Sequence, residues 1–254
     1  MENSLLIGVS RQMTLQRELD VIANNMANLN TTGFKADGNV FHEYLMPVAR
    51  SDRFTGTDRR LSFVLDRATW HDLGQGPIQQ TGNPLDVAID GNAFLAVQSL
   101  QGERYTRNGA LQINAQGQLV TSQGYQVVGA TGPIQFQPGD RDISISREGT
   151  ITVREGTNLA ESTRGKLRIV GFAQPERLEK DGTTLFRAPA GMGPQEAPSA
   201  GVIQGSIEKS NVRSVVEMTR MIDVTRTYQA IAGMLQSEGD LRRTAIEKLA
   251  EVPA

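Results

Sequence analysis

Apolar residues over the first thirty positions recur at helical spacing. A heptad with Leu5 at its first position puts Leu5, Gly8, Gln12, Leu15, Leu19, Ile22, Met26 and Leu29 on one seam, six of the eight apolar. This predicts one amphipathic helix over residues 3–30. Asn24, Asn25 and Asn28 crowd its last turns, although asparagine is a poor helix-interior residue because its carboxamide competes for nearby backbone groups. Asn24 and Asn28 are four apart and share a face, with Asn25 beside them, so the three form a carboxamide strip next to the seam. Gly33, just before Phe34, is expected to cap the helix in the left-handed conformation.

The period changes further along. Residues 38–80 carry apolar positions without a clean repeat and read as a connector with one or two short extended pieces. From about 83 to 190, short alternating runs such as LDVAI, AFLAV, LVTS, YQVVG, IQF, ISIS and KLRIVGF are separated by turn residues, the signature of half-buried strands. Asp90-Gly91, Asn108-Gly109, Gln116-Gly117 and Gln123-Gly124 are placed as hairpin turns that need positive φ. GMGPQEAPSAG (191–201) reads as a linker. Residues 211–250 return to helical spacing, with Met221, Val224, Tyr228, Ile231 and Leu235 on one stripe that drifts on to Leu241, Ala245 and Leu249. Val215, Met218 and Ile222 make a second stripe beside it, and so wide an apolar face needs neighbours on more than one side. Ser214 with Glu217 is spaced as a capping box.

The expected fold is α+β: long N- and C-terminal helices form a coiled-coil-like core domain, with a central antiparallel β domain. The divisions fall at 1–37, 38–82, 83–205 and 206–254. Ordering backbone costs about 1–2 kcal/mol per residue, and Gly233 and Gly239 weaken the C-terminal helix by about 1 kcal/mol each. The ends are therefore expected to be poorly ordered in a lone subunit and to become helical when several subunits pack together.

Composition narrows the chemistry. The 254 residues carry a formal charge of −2, so no basic field points to nucleic acid. There is no cysteine, which excludes disulfides, thiolate metal sites and cysteine nucleophiles. No run approaches the roughly 18 apolar residues of a membrane span. The opening residues do not read as a cleaved leader, giving the expectation of a cytosolic chain unless it is exported without one. His42 and His71 lack ligand-spaced partners, so no metal is expected, nor any cofactor. Asp86 and Asp90 suit turn formation better than acid–base catalysis. Trp70, the lone tryptophan, is expected to anchor a core.

ANNMANLNTTGFK (23–35) resembles the N-terminal signature of the bacterial flagellar rod and hook proteins, and SNVRSVVEMTRMIDVTRTYQA (210–230) resembles their C-terminal signature. Between them, GPIQQTGNPLDVAIDGNAFLAVQ and GERYTRNGALQINAQGQLVTSQGYQVVG are similar to the family's central β segment. GKLRIVGFAQPERLEKDGTTLFRAP and GVIQGSIEKSNV follow the pattern of a proximal-rod member; a distal-rod or hook relative is the alternative. The resemblance implies a non-enzymatic axial subunit that polymerises through its terminal helices and transmits motor torque. It also implies export by the flagellar type III apparatus and a place in the rod within the periplasm. The implied partners are copies of itself and neighbouring FlgC-like and FlgG-like rod proteins. The assembly surface would comprise Leu5, Leu15, Leu19, Ile22, Asn24, Asn25, Met26, Asn28, Leu29, Gly33 and Phe34 at one end. At the other it would comprise Val215, Met218, Met221, Ile222, Val224, Tyr228, Ile231 and Leu235. In that setting the carboxamide strip would donate and accept across subunit boundaries and fix register. Two other classes compete: a β-domain binding module, for which the helices would be dispensable, and a cell-wall carbohydrate-active enzyme, which would need convergent carboxylates in a cleft.

Overall fold

A computed structural model describes residues 2–46, 61–156 and 161–250, with side chains from residue 7 onward except those of 40–46 and 61–69. In chain order the elements are α1 (Glu2–Ala27), β1 (Asp37–Met46), β2 (Leu61–His71), β3 (Ile78–Gln80), β4 (Val87–Asp90), β5 (Phe94–Ser99) and β6 (Gly102–Thr106). Then come β7 (Leu111–Ile113), β8 (Leu119–Thr121), β9 (Gln126–Gly129), β10 (Gly132–Pro133), β11 (Asp140–Ile145), β12 (Thr150–Glu155) and β13 (Glu161–Lys166). The rest are β14 (Ile169–Gly171), a 3₁₀ turn at Pro175–Arg177, β15 (Glu179–Asp181), β16 (Leu185–Arg187), β17 (Gln195–Glu196), β18 (Gly201–Gln204), β19 (Ser206–Glu208) and α2 (Ser214–Ala250). The chain is α+β, with a helix at each end of a large antiparallel β structure. It divides into two compact units: Met1–Ala27, Asp37–Trp70 and Arg213–Ala254 make a helical unit, and Asn28–Ala36 with His71–Val212 make a β unit.

In the helical unit α1 and α2 run in opposite directions. Gly8 lies against Leu235, where an added Cβ would stand 2.6 Å from Leu235 Cδ2, and Glu18 pairs with Arg220 at 2.7 Å. Leu15, Ile22 and Val224 are buried between the helices, flanked by Leu19, Met26, Met221, Tyr228 and Ile231. The heptad positions thus select the contact face. The segment read as a connector begins and ends as two strands of ten and eleven residues, β1 and β2, which pair with each other; the connector residues 47–60 lie outside the described ones. Trp70 is no core anchor. It is 51% exposed and rests on buried Gly38, where a Cβ would meet its indole nitrogen at 2.4 Å.

The β unit is built on β5, whose Phe94–Val97 run is buried throughout. The run is continuous because both faces are covered. Leu95 and Val97 join Leu119, Val127, Ile151, Val153 and Val202 in one core. Phe94 and Ala96 join Tyr105, Val170 and Phe186 in another. β5 pairs antiparallel with β6, β9 and β14, and the path β15-β16-β6-β5-β9-β8-β7 runs through it. β11-β12-β13 form a separate three-stranded sheet. Two readings of segments need correction. IQF is not a strand: Ile134 and Phe136 fill the core from irregular backbone. The glycine- and proline-rich stretch is no free linker either, because β17 pairs with β14 and Ala197 and Ala200 pack on the core.

Gly91, Gly117 and Gly124 adopt positive φ as their turns require, but Gly109 does not. Its glycine requirement is close approach: a Cβ there would stand 1.7 Å from the Val87 carbonyl oxygen, which sits where the Val87 N–H donates to the Gly109 carbonyl at 2.9 Å.

Candidate functional site

α1 ends at Ala27, three residues before the predicted end, and the asparagines explain how. Asn25 is 1% exposed. Its amide donates to the Asp37 carbonyl at 2.8 Å and its carbonyl accepts the Asp37 N–H at 2.9 Å. A carboxamide reproduces the donor and acceptor of a peptide group, so Asn25 receives the first residue of β1 as a neighbouring strand would. Asn24 donates to the Asp37 carboxylate at 3.2 Å, and Asn28 Oδ1 accepts from the Thr31 hydroxyl at 3.0 Å. The expected surface strip is therefore corrected at Asn25, which is spent inside the chain.

Gly33 is also not a helix cap. It lies six residues past α1, at φ 69, in a turn closed by the Phe34 N–H donating to the Thr31 carbonyl at 3.3 Å. A Cβ there would meet Asn108 N and the Arg107 carbonyl carbon at 2.3 and 2.4 Å. Phe34 is wholly buried, with the Lys180 ammonium 3.9 Å from its ring centroid. Leu29 lies beyond α1, half-buried, so the seam stops at Met26.

Beside this turn is a cluster that the sequence reading did not find. Lys35 Nζ and Arg107 Nε each lie 2.6 Å from opposite oxygens of the Glu208 carboxylate, and the side chains are 0%, 1% and 0% exposed. Backbone carbonyls meet most of the other donors. Lys35 also donates to the Gly74 carbonyl, and Arg107 to the carbonyls of Ile89, Gly91 and Ala93. Glu208 Oε1 accepts the Gly76 N–H as well. Burial pushes the Lys35 ammonium below the usual lysine range, with the Glu208 carboxylate opposing that shift. Around the charges, Gly33 N–H donates to the Glu208 carbonyl, Ala36 N–H to Asn211 Oδ1, and Asn211 Nδ2 to the Asp72 carbonyl. The signal lay in charged residues closing apolar or turn motifs, Phe34-Lys35 and Tyr105-Thr106-Arg107. Their pairing across as many as 173 residues is invisible to local pattern.

At the other end, the two α2 stripes have different fates. Met221, Tyr228, Ile231 and Leu235 are half-buried and Val224 buried, all towards α1. Val215, Met218 and Ile222 stand 75%, 50% and 52% exposed, and Met234, Leu241, Ile246 and Leu249 are exposed too. Leu5 lies on α1 with its side chain outside the described ones. The capping box does not form. The Glu217 N–H donates to the Arg213 carbonyl, and Glu217 Oε2 is buried without a hydrogen-bond partner.

Asp86 accepts from the Thr81 hydroxyl and the Asn83 amide, shaping its own turn, while Asp90 is exposed. Among the described residues no metal-holding cluster occurs, and no helix is long and apolar enough to cross a membrane.

The chain carries a helix at each end of an antiparallel β structure, and it belongs to the flagellar basal-body rod protein family. Family models match at both ends and in the middle: flagella basal body rod protein at 5–35, flagellar hook protein FlgE/F/G D1 domain at 88–153, and flagellar basal body rod FlgEFG protein C-terminal at 203–248. Flagellar basal-body rod protein FlgF of Caulobacter vibrioides is 37% identical over 99% of this chain and 100% of its own length. FlgF of Mesorhizobium japonicum is 33% identical over 98% of each, and FlgG of Agrobacterium fabrum 35% over 89% of this chain and 91% of its own. The protein is thus a structural component of the flagellar basal body and not an enzyme.

Proposed function

We propose that this chain is a rod subunit of the proximal, FlgF-like kind, which polymerises through its terminal helices and passes motor torque along the shaft. The observation that carries this is the unequal use of α2. One stripe is closed against α1, while Val215, Met218 and Ile222 on its flank stay in water, where soluble proteins rarely leave a contiguous apolar line. Copies of this chain and neighbouring FlgC-like and FlgG-like subunits cover that flank, converting the helix pair into a coiled-coil-like core. Among the described residues expected at the interface, Val215, Met218, Ile222 and Asn24 are the most exposed. Leu15, Ile22, Met26 and Val224 set the helix pair that presents them. The β unit decorates the shaft, and the chain reaches the periplasm through the type III apparatus.

The test is Met218→Glu with Ile222→Glu in a strain lacking the native subunit. Both side chains are half in water, so the lone protein should unfold as wild type does, within about 0.5 kcal/mol, while rods fail to form and cells do not swim. Normal swimming would refute the proposal. Full swimming after deletion of residues 1–33 would favour a β-domain binding module instead.

A further inference from the structure

We propose that the Lys35–Glu208–Arg107 cluster is a completion latch: the β unit cannot clasp the segment following α1 until residue 208 has joined the fold. Two cations with almost no exposure share one carboxylate, and that carboxylate stands 173 and 101 residues away from them. Among the described residues no other carboxylate lies within salt-bridge distance of either. Without Glu208, closing the site means burying two cations against carbonyl oxygens alone, and an ion left without its partner in a dry site is strongly unfavourable. The backbone follows the same logic. Gly33 N–H donates to the Glu208 carbonyl and Ala36 N–H to Asn211 Oδ1, so residues 33–36 draw on 208–211 for both charge and hydrogen bonds.

The central strands have no such dependence. β5, β6, β9 and β14 lie between residues 94 and 171 and pair through β5, and β12 pairs with β11 and β13 within residues 140–166, all before residue 208 is reached. The order of closure is therefore central sheet first, latch last. Given the assembly reading above, on which only this purpose rests, the latch leaves residues 33–36 unset in any chain that lacks its C-terminal segment. A partial subunit is then not folded for entry into a growing polymer.

Pulse-labelled amide exchange during refolding of the full-length chain reads this order directly. Amides of β5 and β12 should become protected in a phase that precedes Gly33 and Ala36. Glu208→Gln should raise the unfolding rate by about 10²- to 10³-fold and leave the refolding rate of the sheet within about twofold. If that variant does not fold, Asn211→Ala, which keeps all three charges, should raise unfolding by about tenfold, again without slowing the sheet. Protection of Gly33 and Ala36 together with or before β5 would overturn the latch, as would a substitution that slows folding in proportion to its destabilisation. These measurements use the lone chain, so a failed latch leaves the rod reading intact, and a failed swimming test leaves the latch intact.

Discussion

Replacing Asn25 by alanine removes a side chain that closes two hydrogen bonds onto the Asp37 backbone, at 2.8 and 2.9 Å, from a position that is 1% exposed. Each lost bond costs about 0.5–1.5 kcal/mol net, and a buried partner left unsatisfied costs about 1–3 kcal/mol. Against this, alanine is the better helix former by up to about 0.7 kcal/mol. The balance is a loss of about 2–3 kcal/mol, confined to the helical unit. Asn24→Ala, at an exposed site where the amide reaches the Asp37 carboxylate at 3.2 Å, should cost no more than about 0.5 kcal/mol. Native-state amide exchange separates the two: Asn25→Ala should speed exchange at Asp37 by roughly 30- to 150-fold and leave the β5 and β12 amides unchanged. Equal effects of the two substitutions, or an unaltered Asp37 amide, would refute the claim that this carboxamide is spent inside the chain rather than held for a neighbour.

Other perturbations probe the β unit. Gly109→Ala should prevent its folding under ordinary conditions, because the new methyl would overlap the Val87 carbonyl oxygen at 1.7 Å; circular dichroism of the purified variant checks this. Lys180→Ala removes both the contact with the Phe34 ring and the donation to the Lys35 carbonyl, and should cost about 1–2 kcal/mol in urea unfolding. Arg164 hydrogen bonds hold the Asp140 carboxyl below its usual value. The unfolded chain therefore binds that proton first as pH falls. The contribution to stability is complete above about pH 4 and is lost as pH drops further through the folded value. Asp140→Asn should flatten the stability profile between pH 5 and 2 relative to wild type.

Periodicity located α1 and α2 by their apolar faces and most strands by alternation or, as in β5, by an unbroken apolar run. Leu15 and Ile22 of the heptad pack with Val224 and Tyr228 of the α2 stripe. It failed where a residue serves something outside its own element. Asn25 looked like a surface feature because a helical wheel does not contain Asp37. Gly109 looked like a turn former because close approach by Val87 leaves no local mark. Trp70 looked like a core residue because its platform, Gly38, lies 32 positions earlier on another strand. The Lys35–Glu208–Arg107 cluster was illegible for the same reason, since each charge alone resembles a solvated one. The glycine- and proline-rich stretch shows the converse, a flexible composition seated by pairing of β17 with β14.

The central claim is that α2 keeps an apolar flank in reserve for other subunits. Amide exchange across Ser214–Ala250, measured on the lone protein and again after assembly with its rod neighbours, tests it most directly. Protection should be weak in the lone chain, fading toward Ala250, and should rise at least about 100-fold on assembly, most around Val215–Ile222. Strong protection along all of α2 in the isolated subunit, unchanged on assembly, would contradict it.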